Sequence, residues 1–98
     1  MTDSDTHTAD QIRERLASLP DWQLSQDDSA ISRRFEFKGF AKAVEMANLA
    51  AWLGNKRNHH PDISFGWGYC EVSFTSHDAG GLTARDFDSA AHLDALLA

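Results

Sequence analysis

The sequence predicts an α+β fold, a four-stranded antiparallel sheet with three helices packed on one face, in the order α-β-β-α-β-β-α. Three observations predict it. Apolar residues recur at helical spacing in three separate stretches, they alternate with polar residues between those stretches, and the alternating segments come in two hairpin-like pairs. Hairpins make neighbouring strands antiparallel, and the helices are too few to cover both faces of a sheet.

Thr8, with Gln11 three residues on, forms a capping box, and Ile12, Leu16 and Leu19 then share one stripe until Pro20 stops the segment; this predicts a helix over about 8–18. Trp22 and Leu24 alternate in a short strand. SQDDS at 25–29 is turn chemistry, and Ile31, Arg33, Phe35 and Phe37 alternate with Ser32, Arg34, Glu36 and Lys38, which completes a half-buried hairpin. From Phe40 to about Arg57 the period becomes helical. Lys42, Glu45, Asn48 and Asn55 lie near a polar stripe, and Val44, Ala47 and Ala51 belong to a broad apolar face. Trp52, near the polar stripe, either covers the rim of the core or marks a subunit contact.

Ile63 and Phe65 then read as one strand and Cys70, Val72 and Phe74 as the next, joined through Gly66-Trp67-Gly68. The last helix opens with a capping pattern, Thr83 and Asp86, and is expected to bury Phe87, Ala90, Ala91, Leu93 and Leu97.

A chain of 98 residues is the size of one domain, read as a flexible N-terminus at 1–7 and a single domain at 8–98. Its net charge of −6 argues against a nucleic-acid partner, which needs Lys and Arg gathered on one face. Lys56 and Arg57 suit a helix C-terminus, where cations oppose the macrodipole. With a lone Cys70 there is no intramolecular disulfide. The polar, acidic start lacks the apolar run of a signal or a membrane span, so a cytoplasmic location and no membrane contact are expected.

The functional signal lies in "RNHHPDISFGWGYCEVSFTSH" at 57–77. Centring the hairpin on Gly68 sets His59 opposite His77 and His60 opposite Ser76, and directly opposed residues bring their Cβ atoms to roughly 4.5–5.5 Å. Asn58, Thr75, Ser76, Asp78 and, one loop later, Asp86 would gather at the same rim, with Trp67 or Trp22 as an aromatic neighbour for a flat heterocycle. Three readings compete. The histidines could cap backbone groups at strand ends. They could hold zinc, but adjacent histidines point to opposite sides of a strand, no HExxH spacing occurs and no cysteine is near. The third reading is metal-free acid-base catalysis, because imidazole exchanges protons near neutral pH and two or three can supply both a base and an acid. Removing a proton at one atom and expelling hydroxide from its neighbour is the work of a dehydratase.

These residues resemble the pterin-4a-carbinolamine dehydratase family: His59-His60-Pro61, an aromatic at Trp67, His77 ten residues later and Asp86 nine beyond that. The likeness extends through Trp22, "FEFKGF" at 35–40, the alanine-rich helix and "GLTARD" at 81–86. It implies dehydration of a 4a-hydroxytetrahydropterin to the quinonoid dihydropterin, in recycling the cofactor of aromatic amino acid hydroxylases. His59, His60 and His77 would be the catalytic and binding histidines. Asn58, Thr75, Ser76 and Asp78 would line the pterin, and Asp86 would join them, although capping a helix is its first role. No cofactor or metal is implied, and the subunits would form a homodimer or homotetramer. The sequence departs from the family in carrying Asn55 and Asn58 where acidic residues are usual. The alternative is a non-catalytic scaffold, since relatives include dimerisation cofactors of a homeodomain transcription factor and assembly factors for a carbon-fixing enzyme.

Overall fold

The structure is a computed structural model and describes residues 5–98. Helix α1 (Ala9–Ala17) is followed by strands β1 (Gln23–Leu24) and β2 (Ile31–Glu36), helix α2 (Ala41–Arg57), strands β3 (Asp62–Gly66) and β4 (Tyr69–Phe74), a 3₁₀ turn at His77–Ala79 and helix α3 (Ala84–Leu97). This is the expected α+β order, with three helices on one face of a four-stranded antiparallel sheet. Thr8 caps α1 as its spacing predicts: its hydroxyl accepts from the Gln11 N–H while Gln11 Oε1 accepts from the Thr8 N–H at 2.7 Å.

The strands lie in the order β1-β2-β4-β3, every pair antiparallel. Alternation sends Ile31, Cys70, Val72 and Phe74 inward, where none exposes any surface, against Ala50 and Leu53 of α2 and Phe87, Ala90 and Leu93 of α3. Full burial of each large side chain in such a set contributes about 1.5–3 kcal/mol. Small residues on α2, Ala43, Ala47 and Ala50, let the helix lie close to the sheet. Arg33 falls on the inward face at its rim. Its guanidinium covers the Phe35 ring at 4.5 Å and donates to Asp94 of α3 at 2.6 Å, and the Trp22 indole N–H donates to the same carboxylate at 3.0 Å. The β1–β2 side is thereby tied to α3.

Three expectations change. Register along the second hairpin runs one place earlier on β4 than a bend centred on Gly68 would give, with Asp62 opposite Ser73 and Gly66 opposite Tyr69. The bend is the two-residue Trp67-Gly68, and of the two only Gly68 takes a left-handed φ, +85°, a conformation that side-chain-bearing residues resist. Ala91 and Leu97 are exposed rather than buried. Phe87, Ala90 and Leu93 define the inward stripe of α3; Ala91 is turned about 100° from its neighbour Ala90, and Leu97 is the last helical residue.

Residues 1–4 of the expected flexible stretch lie outside the described residues. Thr6 bridges Thr83, and the His7 N–H donates to the Leu82 carbonyl at 2.8 Å while its ring stacks on Phe87 at 5.4 Å. Among the described residues no helix is long and apolar enough to cross a membrane.

Candidate active site

Helix α2 ends in a way that turns two adjacent histidines to opposite environments. Asn58 takes the left-handed conformation (φ 53°, ψ 38°), which asparagine tolerates better than most residues, and the His59 N–H returns to the Gly54 carbonyl at 3.1 Å. Gly54 permits this fold-back, because a Cβ there would stand 2.6 Å from Pro61 Cδ. His59 is driven inward to 9% exposure and His60 outward to solvent.

The His59 ring stacks on Phe74 at 6.0 Å, and Phe74 meets Trp22 at 5.8 Å, so aromatics form a floor beneath the imidazole. Its Nε2 lies 2.6 Å from Asp86 Oδ1. Asp86 has no exposed surface; it is the third residue of α3, where Oδ2 accepts the Thr83 N–H at 2.9 Å in a second capping box. Oδ2 also accepts the Ser76 hydroxyl at 2.8 Å, and Ser76 Oγ lies 2.9 Å from Thr83 Oγ1. One carboxylate therefore closes the helix and holds the histidine. Both tasks use the same charge, since a helix N-terminus and an imidazole N–H each favour an anion.

His60 Nε2 donates to Asn55 Oδ1 at 3.1 Å. His77 does not face His59 across a continued ladder, because pairing stops at Asp62 and Ser73 and the chain enters the 3₁₀ turn. That turn nevertheless sits at the same end of the hairpin. Arg85 of α3 donates to Asp78 at 2.8 Å, and the carboxyl of Asp78 is held below its usual 3.8 first by that hydrogen bond, with the His59 charge among the smaller causes. Consecutive residues of α3, Arg85 and Asp86, thus hold the 77–79 turn and His59 respectively. His77 itself is exposed.

The five residues expected to line a substrate differ in what they offer. Asn58 and Asp78 are exposed, Thr75 is half-buried with its hydroxyl donated to the Ser29 carbonyl at 2.5 Å, and Ser76 and Asp86 are buried beneath His59. Trp67, 73% exposed at the tip of the hairpin, lies at the far end of β3 from the histidines, a separation of at least roughly 13 Å of strand. Trp22 is the aromatic at this end. Sequence reasoning missed Thr83 and Arg85 as parts of the site: the capping box at Thr83 was visible, but its link to His59 is tertiary, and nothing in the pattern singled out Arg85. Among the described residues no group of three or more His, Cys, Asp or Glu side chains is arranged to hold a metal ion.

Comparison with known proteins gives the family and the fold. A relative from Paracoccus denitrificans, named "Putative pterin-4-alpha-carbinolamine dehydratase", is 48% identical over 88 residues, covering 90% of this chain and 82% of its own length. One of the same name from Legionella pneumophila is 41% identical over 90 residues, covering 91% and 80%. Among solved structures, a transcriptional coactivator/pterin dehydratase from Brucella melitensis superposes with a TM-score of 0.85 at 29% identity, over 94% of this chain and 98% of its own. A pterin dehydratase-like RuBisCO assembly factor of the alpha-carboxysome gives 0.63 at 25% identity, over 76% and 87%. With the family model for pterin 4 alpha carbinolamine dehydratase matching residues 5–96, the chain belongs to that family.

Proposed function

We propose that this protein eliminates water from a 4a-hydroxytetrahydropterin to give the quinonoid dihydropterin, with His59 and His77 as the acid-base pair and His60 orienting the pterin. The observation that carries the reading is the anchoring of His59 and of the turn bearing His77 by adjacent residues of α3. In the elimination one imidazole accepts the N5 proton, the N5 electron pair forms the C=N bond to C4a, and a protonated imidazole donates to the departing 4a-hydroxyl. Water leaves and charge balances. Each positioned transfer contributes about 10²-fold or more. Asn58 and Asp78, exposed at the rim, are the side chains available to a substrate's polar edge, and Trp22 and Phe74 supply apolar support from below.

Such a product is recycled by reduction, which places the protein beside a hydroxylase that consumes the reduced pterin. A cytoplasmic homodimer or homotetramer accords with this role: β3 pairs on one side only, and Phe65 (43%), Trp52 (51%) and Phe40 (51%) leave large apolar area exposed.

A scaffold role is the second reading, favoured by the likeness to an assembly factor. Loss of the 4a-carbinolamine absorbance, followed with purified protein, separates the two. Acceleration over buffer is expected of the enzyme; folded protein that gives none returns the scaffold.

A further inference from the structure

We propose that Ser76 and Thr83 are positioning residues that act through Asp86 to fix one tautomer of His59, with Nε2–H turned inward and Nδ1 presented to the reactant. The hydrogen bonds leave a single direction for the chain. Near neutral pH a carboxylate is ordinarily ionised and only accepts. Asp86 Oδ2 receives the Thr83 N–H and the Ser76 O–H, and Oδ1 receives His59 Nε2–H. Ser76, having spent its single proton on Asp86, must accept at its oxygen from the Thr83 hydroxyl 2.9 Å away. The Thr83 oxygen in turn accepts from the Arg85 N–H at 3.2 Å and, more weakly, from Arg85 Nε at 3.4 Å. Donation therefore runs from Arg85 to Thr83, to Ser76 and to Asp86, where it meets the donation from His59.

Burial makes this chain rigid. Thr83 and Asp86 have no exposed surface and Ser76 has 1%. No water competes for these bonds, and a buried donor or acceptor that lost its partner would keep its desolvation cost. The other ring nitrogen has the opposite surroundings. Among the described residues Nε2 is the ring nitrogen that is hydrogen-bonded, no buried side-chain nitrogen or oxygen lacks a partner, and the His59 side chain keeps 10% of its surface exposed, which leaves Nδ1 as the nitrogen free to meet a reactant. Ser76 thus contributes by orienting the base, not by touching a pterin.

The kinetic consequence rests on the dehydratase reading; the tautomer does not. The test is ¹⁵N NMR of the imidazoles in wild-type protein and in Ser76→Ala, with dehydration kinetics on the same samples. Neutral His59 in the wild type is expected to show a protonated Nε2 and a pyridine-like Nδ1. In Ser76→Ala the two nitrogens should move toward averaged values and kcat should fall about tenfold, less than the ~10²-fold of losing a general catalyst outright, while KM stays within about twofold. Ser76→Cys, similar in shape and a weak donor, should recover part of both signals, and it replaces the alanine variant should that fail to fold. A wild-type ring protonated at Nδ1, or a folded Ser76→Ala protein with unchanged spectrum and kcat, overturns the proposal. Wild-type protein without dehydration activity whose Nε2–H signature is lost in Ser76→Ala supports the positioning chain and removes only the proposed reaction.

Discussion

His59 Nε2 and Asp86 Oδ1 are 2.6 Å apart in a buried pair that joins the end of α2 to the start of α3 across 27 residues of sequence. The expected result of Asp86→Asn follows from donor counting. An amide offers one acceptor and one donor group where the site supplies three donors, so either His59 or the Ser76–Thr83 side faces a like group. Loss of about 1–3 kcal/mol of stability, the cost of a buried unsatisfied group, should accompany a fall in kcat. Denaturant melts and turnover on one preparation measure both, and unchanged turnover would sink the role given to this carboxylate.

Substitution of the three histidines should separate their roles. His59→Ala and His77→Ala are each expected to lower kcat by about 10²-fold, whereas His60→Ala, removing an exposed ring that donates to Asn55, should raise KM more than it lowers kcat. Steady-state kinetics decides the matter; equal effects on KM from all three would make them binding groups alone.

Asn55→Asp tests the departure from the family pattern. Its Oδ1 already accepts from His60, so a carboxylate would bring a negative charge to the same ring and favour its protonated form. The acid limb of the pH–rate profile should move to higher pH. A profile superposable on the wild type would reject any electrostatic link between position 55 and turnover.

Gly54→Ala should destabilise the protein by about 1–3 kcal/mol, the usual cost of overpacking. Its Cβ would stand 2.6 Å from Pro61 Cδ and 3.3 Å from His60 Cα, both in the segment that sets the histidines. A lowered Tm with a disproportionate loss of activity is the expected signature, read by thermal melts beside rate measurements.

Asp27 governs an acid-side effect remote from the site. Its carboxyl is lowered from 3.8 to about 2, chiefly by the Ser29 hydroxyl and then by that of Ser25. A folded value below the unfolded one adds stability above pH 3.8 that disappears as pH falls through about 2. The Tm difference between wild type and Asp27→Asn should therefore shrink across that window. A difference independent of pH would show that the turn draws nothing from the ionised group.

The elements were legible because each rests on local chemistry. Thr8 with Gln11 and Thr83 with Asp86 mark helix starts through bonds between near neighbours, and the alternation of Cys70, Val72 and Phe74 needs only a strand's period. Register was less legible. Either glycine flanking Trp67 could have belonged to the turn; Gly68, at φ +85°, is the one inside it, and Gly66 stays in β3 opposite Tyr69, a one-place difference that alternation alone does not display. The gathering of His59, Asp86 and the 77–79 turn at one end followed from hairpin topology. Which atoms meet did not, because Ser76 reaches Asp86 only after α3 has docked, and Trp67, though adjacent in sequence, is carried to the opposite end by the very strand that places the histidines.

The bridge between Thr6 and Thr83 has a practical corollary. An affinity handle or fluorophore fused immediately ahead of the sixth residue would tug on the threonine that seats the buried carboxylate. Trimming the chain past that point would slacken the same clasp from the other direction. Reagents made to report on turnover are better attached elsewhere, since a label at this margin would perturb the quantity it was meant to observe.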